Sequence, residues 1–177
     1  MTKLFEEKKF NIPKLNGISE KAIEIHLGLY TGYVKNVNEL LQEKEYNRRF
    51  PFEFDGMRNH EIYFSHFEGG STPLTAGGPL TQAGFDLERF KAMALTRGVG
   101  WAIVYYDSTS KQLMHSWVDE HHLGILTGLF PILVLDMWEH AYFIDYTPRD
   151  KKKYIEAFFA NLNWQNVEEN FASAIQK

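Results

Sequence analysis

The chain has 177 residues, 44% hydrophobic and 15% aromatic, enough to bury one good core. Its formal net charge of -4 and pI near 6.0 leave no broad basic footprint, which argues against nucleic acid as a partner. Cysteine is absent, which excludes disulfides, thiolate metal sites and cysteine nucleophiles, so any metal must sit on histidine and carboxylate.

Met1 to Phe10 is charged and lacks the apolar core of a signal peptide, and no run approaches the roughly 18 apolar residues of a membrane span. Cytoplasmic residence away from any membrane is the expectation. From Ser19, an N-cap followed by Glu20, apolar residues recur at Ile23, Leu27, Tyr30, Val34, Val37 and Leu41 in one helical stripe, predicting a helix to about Lys44. After the polar turn at Asn47-Arg48-Arg49 and Pro51, a second helix is predicted from Phe52 or Glu53 to Phe67, closed by Gly69-Gly70. So short a connection makes an antiparallel hairpin.

Gly69 to Pro79 is rich in Gly, Ser, Thr and Pro and reads as a linker, which puts a domain boundary between residues 75 and 76. A helical pattern follows over Leu80 to Arg97. Trp101–Tyr106 and Leu113–Val118 read as strands joined by the turn Asp107-Ser108-Thr109-Ser110, and Leu129–Leu135 as a third. Helices at Lys151–Ala160 and Gln165–Ile175 complete the chain, with Lys151-Lys152-Lys153 on a solvated face. The expected class is α+β: an N-terminal helical hairpin domain, 1–75, then an α/β domain, 76–177, with a three-stranded antiparallel sheet flanked by helices.

The third strand runs straight into Asp136-Met137-Trp138-Glu139-His140-Ala141-Tyr142, so Asp136 falls where the strand leaves the core. A buried carboxylate must be paired, hydrogen-bonded or metal-bound, and His140 is one available partner. Taken alone, the pair reads equally well as a structural Asp at a helix start with a satisfied histidine nearby. His26 lies beside the stripe of the first helix, and His60 shares a face of the second with Gly56, Phe64 and Phe67. Either alone is an ordinary core histidine. Together with Asp136 and His140 they make three imidazoles and one carboxylate, a donor mix suited to Fe, Mn or Zn rather than Ca or Mg. His66 and His115 fit no such pattern and are expected at the surface.

The string DMWEHAY, with Phe143-Ile144-Asp145-Tyr146, Tyr154-Ile155-Glu156-Ala157-Phe158 and Asn163-Trp164 after it, resembles the C-terminal signature of the iron/manganese superoxide dismutases. The resemblance extends from about Ile18 to Phe171 and is strong in the C-terminal third. Glu24-Ile25-His26 reproduces the context of the family's first metal ligand and Asn59-His60 that of the second; Asp136 and His140 fill the third and fourth positions. It implies one Fe or Mn ion per subunit held between the two domains, superoxide as substrate, and a homodimer or homotetramer.

Other positions depart from the family pattern. Tyr33 resembles the gateway tyrosine but lies seven residues after His26 where many members have eight, so a π-bulge is expected to be missing. Tyr30 stands where many members carry a histidine, and Phe143 replaces a frequent tyrosine; together these changes remove a hydrogen bond across the dimer interface. Glu139 resembles the residue that bridges to the partner subunit's ligand histidine. The glutamine that contacts metal-bound solvent is missing: Gly56 takes its place on the second helix, as in manganese-type members, and the loop Val118-Asp119-Glu120-His121-His122 contains none. One of its histidines, His121 before His122, is expected in that role, as in a subset of the family. Trp101 and Trp138 resemble the tryptophans that wall the metal pocket, and Arg149 lies near an arginine of the substrate funnel. Two other readings stay open: a mononuclear non-haem iron protein activating oxygen, against which the third histidine argues, and a non-catalytic relative, which should have lost ligands.

Overall fold

A computed structural model describes residues 3–43 and 46–177. Residues 3–18 form an extended arm against the helices that follow. Phe5 N–H donates to Asn38 Oδ1 while Asn38 Nδ2 donates back to Phe5 O, at 2.8 and 2.9 Å. Helix α1 (Glu20–Leu40) starts as its sequence predicts, with Ser19 Oγ accepting from Ala22 N at 3.1 Å. It is an unbroken α-helix through His26 and Tyr33. It closes at Leu40 rather than near Lys44, a residue outside those described: Gln42 N and Glu43 N turn back to Glu39 O and Leu40 O in a tightened turn, and Gln42 Nε2 caps Asn38 O.

Helix α2 (Phe50–Ser65) begins two or three residues earlier than expected, because Pro51 falls in the first turn, where its missing N–H is no loss, and it ends two residues before Phe67. The two helices run antiparallel, as contacts between Asn36 and Glu53, Tyr33 and Gly56, Tyr30 and Glu61, and His26 and Phe64 follow one another in opposite order. The predicted helix over Leu80–Arg97 is two helices, α3 (Pro79–Gln82) and α4 (Leu87–Ala94). Gly84 at φ +89 breaks the run and Asp86 caps α4, its Oδ1 accepting from Arg89 N at 3.0 Å.

Strands β1 (Gly100–Asp107), β2 (Gln112–Asp119) and β3 (Phe130–Asp136) form an antiparallel sheet in the order β2-β1-β3. β1 is central and buried from Gly100 to Tyr106, sandwiched between helices on both faces. Gly100, at φ +150, lets β1 approach β2 so closely that an added Cβ would collide with Val118 O. The pairing of β1 with β3 shifts register beside Pro131, which has no N–H to give the ladder, and then runs true to its end, where Trp101 pairs with Asp136. Helices α5 (Lys151–Asn161) and α6 (Trp164–Ile175) follow, with α6 packed on β3 and β1.

His66 is not a surface residue. It is fully buried just past the end of α2, and its Nε2 accepts the Val134 N–H on the free edge of β3 at 3.1 Å. His115 is half-buried between Phe85 and Phe90. Neither position could be read from periodicity, because both pack against segments distant in the chain.

Candidate metal centre

His26 from α1, His60 from α2, Asp136 from the end of β3 and His140 from the short 3-10 turn Glu139–Ala141 converge on one point. Their donor atoms lie within 4.8 Å of one another, the one such group of histidines and acids among the described residues. Nε2 of His26 and of His140 each lies 3.1 Å from Asp136 Oδ2, and Nε2 of His60 lies 3.6 Å from it. The other carboxylate oxygen accepts the Trp138 N–H at 2.8 Å, which fixes the plane of the group.

Protons decide what this arrangement can hold. His60 Nδ1 donates to Gly56 O at 2.6 Å, so its Nε2 presents a lone pair, and that atom is buried with no hydrogen-bond partner. Burial, and after it the neighbouring His26, pushes the His60 imidazole well below its ordinary value; burial lowers His26 too, against the pull of Asp136. Burial alone would raise the Asp136 carboxyl, but His140 and His26 outweigh it and hold the group ionised. His60 therefore aims a lone pair at a buried anion that His26 and His140 also face at hydrogen-bond distance. A cation at their centre would satisfy the unpaired His60 nitrogen and take the place of the protons between the other two imidazoles and the carboxylate, and the donor set fits Fe, Mn or Zn.

Around the cluster, His121 is fully buried, with Nε2 2.6 Å from the Tyr33 hydroxyl and Nδ1 accepting the Trp101 indole N–H at 2.9 Å. The indole fixes the tautomer: since His121 Nδ1 accepts, its Nε2 carries the proton and donates to Tyr33 oxygen. Burial lowers the His121 imidazole to about 4 and raises the Tyr33 hydroxyl, so both stay neutral near pH 7. Glu120, at φ 53, reverses the loop after β2, turning His121 inward and leaving His122 part-exposed beside Glu120 and Phe52. Asn59 Nδ2 holds the His121 carbonyl at 3.1 Å, a role its neighbour His60 obscured in the sequence. Gly56 leaves the room this pair needs: a Cβ there would meet Tyr33 Cδ1 at 2.9 Å and His121 Cδ2 at 3.3 Å.

Trp101 stands edge-on to His60 with centroids 5.0 Å apart, and Trp138 stacks on His121 at 4.8 Å and on His140 at 5.8 Å. Three predicted positions stand apart. Tyr30 is buried but turned to the other side of the hairpin, where its hydroxyl accepts from Lys8 N and donates to Glu61. His122 is part-buried against Phe52 and takes no part in the cluster, and Arg149 is exposed in the 3-10 turn before α5. Glu139 and Phe143 are exposed on the surface beside His140.

A helical hairpin packed on an antiparallel sheet, with three imidazoles and one buried carboxylate gathered where they meet, defines a protein able to hold a single metal ion. The description "Iron/manganese superoxide dismutases, C-terminal domain" matches residues 84–170. The Superoxide dismutase [Fe] of Aquifex pyrophilus is 34% identical, over 92% of this chain and 88% of its own length. The Superoxide dismutase [Mn/Fe] of Aeropyrum pernix is 29% identical over 95% and 93%, and the Superoxide dismutase [Mn] of Mycobacterium intracellulare 29% over 90% and 87%. The chain belongs to the iron/manganese superoxide dismutase family.

Proposed function

We propose that the chain is a superoxide dismutase in which His26, His60, Asp136 and His140 hold one Fe or Mn ion per subunit. The observation that carries this reading is the convergence of three imidazole Nε2 atoms on a single buried carboxylate oxygen in a member of this family. When bound, either metal supplies one-electron chemistry, taking an electron from one superoxide and giving one to the next. Two superoxides and two protons become one oxygen and one hydrogen peroxide.

The chain's own residues do the rest. His60 Nδ1–H on Gly56 O and Trp138 N–H on Asp136 Oδ1 orient two of the four donors before any ion arrives. Trp101 and Trp138 wall the cluster and limit water. Tyr33, half-buried beside His60, is the gateway group, and His121 behind it takes the place of the missing glutamine. The His121 Nε2–H to Tyr33 bond leaves the tyrosine's own proton free to be donated toward the pocket. Glu139, exposed next to His140, serves as the bridge to a second copy in a homodimer or a homotetramer. The chain divides between residues 75 and 76, with the metal between the two parts, and works in the cytoplasm; no helix among the described residues is long and apolar enough to cross a membrane.

The test is to load apoprotein separately with Fe and with Mn and assay superoxide disproportionation by each form. Activity in at least one form is expected. A full metal complement without activity in either would overturn the catalytic reading.

A further inference from the structure

Tyr63 and Tyr154 are fully buried, are not among the four donors, and touch the cluster from two sides. The Tyr154 hydroxyl lies 2.9 Å from the main-chain oxygen of Asp136, which can only accept, so Tyr154 spends its one proton there. Its own oxygen then accepts from the Tyr63 hydroxyl, 3.1 Å away. The direction of the chain is thereby fixed, from Tyr63 to Tyr154 to Asp136. Tyr63 sits on α2 one turn after His60, and its ring lies 5.0 Å from that of His26. Tyr154 sits on α5 and stacks on Tyr142 of the DMWEHAY segment at 5.3 Å.

A buried hydroxyl without a partner is destabilising, and phenylalanine would fill either volume without that demand. The two hydroxyls are satisfied by each other and by Asp136. On its other side Asp136 is held by β1, through its pairing with Trp101 and through Met137 N–H on Gly100 O at 2.9 Å. Without Tyr154 the Asp136 peptide would be anchored on one edge only.

We propose that Tyr63 and Tyr154 are positioning residues that clamp the Asp136 peptide against the two histidine-bearing helices and so determine how long the chain retains its metal. The inference rests on the four-donor reading above. Asp136 is the one anionic donor, and donor-to-metal distances in a well-formed site fall within about 0.2 Å of their usual values. Losing a partner that orients a ligand typically costs about 10–100-fold in metal affinity.

The experiment uses the full chain loaded with Mn and with Fe, and measures metal release to excess EDTA together with the visible absorption of the oxidised form. Tyr154→Phe is expected to release metal about tenfold faster and to shift the absorption band. Tyr63→Phe keeps the ring against His26 and should give a smaller effect of the same kind. The double variant should match Tyr154→Phe alone, since the two hydroxyls act in series. Phe171→Leu, which perturbs packing against Tyr106 far from the cluster, serves as the destabilised control and should leave release and spectrum unchanged. Wild-type release and spectrum in both tyrosine variants would overturn the inference alone, as would equal acceleration by Phe171→Leu. Wild-type protein that takes up neither metal would overturn the four-donor reading and this inference with it.

Discussion

His60 and His66 stand at either end of the last turns of α2, six residues apart, both wholly buried and both pushed down by burial. Only what their nitrogens face tells them apart. His66 Nε2 accepts a backbone N–H from Val134 and so completes the edge of β3. His60 Nε2 accepts nothing, and looks at a carboxylate oxygen that two further imidazoles also face. His66 Nδ1 is buried without a partner too, but because its Nε2 accepts, that nitrogen carries the proton and offers no lone pair. Burial and a shifted pKa therefore mark neither as functional; an unpaired lone pair turned toward a buried carboxylate does.

The sharpest way to break this comparison is to remove each histidine in turn. Asp136→Ala or His60→Ala should lower metal content at least about tenfold while the chain still folds. His66→Ala should do the reverse. It leaves the Val134 N–H unpaired beside a new cavity, at a cost of about 2–4 kcal/mol in urea unfolding, with metal stoichiometry kept below the transition. Metal loss in His66→Ala at temperatures where it remains folded would erase the distinction.

The sequence made one of these two histidines legible and hid the other for a physical reason. His60 belongs to a set whose members carry local context, Asn59 before it and the DMWEHAY string around Asp136 and His140. His66 is defined by a strand edge nearly seventy residues away, and no local pattern encodes that contact. The same limit explains the misread helix at Leu80–Arg97, whose stripe of apolar residues persists across the break at Gly84. It also hid the hydroxyl chain from Tyr63 through Tyr154 to the Asp136 carbonyl, whose three members come from separate elements. Periodicity reports which face is buried, while hydrogen-bond partners across the fold report why.

Gly56 offers a sharper probe, because stability and activity should move apart there. It lies inside α2 with ordinary helical backbone, so alanine gains up to about 1 kcal/mol of helix propensity. The added methyl would also press on Tyr33 and His121 and pull apart their 2.6 Å hydrogen bond. Gly56→Ala should therefore retain metal and unfold within about 1 kcal/mol of wild type, but disproportionate superoxide about tenfold more slowly, the lower end of what positioned proton transfer contributes. Wild-type rates in that variant would show that the Tyr33–His121 pair is not part of the proton path.

The last expected effect concerns acid, and again separates the two histidines. Burial holds the His66 imidazole at about 3, whereas in the unfolded chain it titrates near 6.5. Between those values the unfolded state binds one proton more than the folded state at this residue, so stability falls as pH is lowered from about 6.5 toward 3. The slope attributable to one such proton is about 1.4 kcal/mol per pH unit. Replacing His66 with Gln keeps an acceptor for Val134 N–H but removes the titration. His66→Gln should thus flatten the acid limb of the stability profile by that one-proton slope, measured on apoprotein so that loss of metal does not add to it. An unchanged slope would mean that the imidazole reaches water, and that the bond to Val134 closes the strand edge less completely than its 3.1 Å implies.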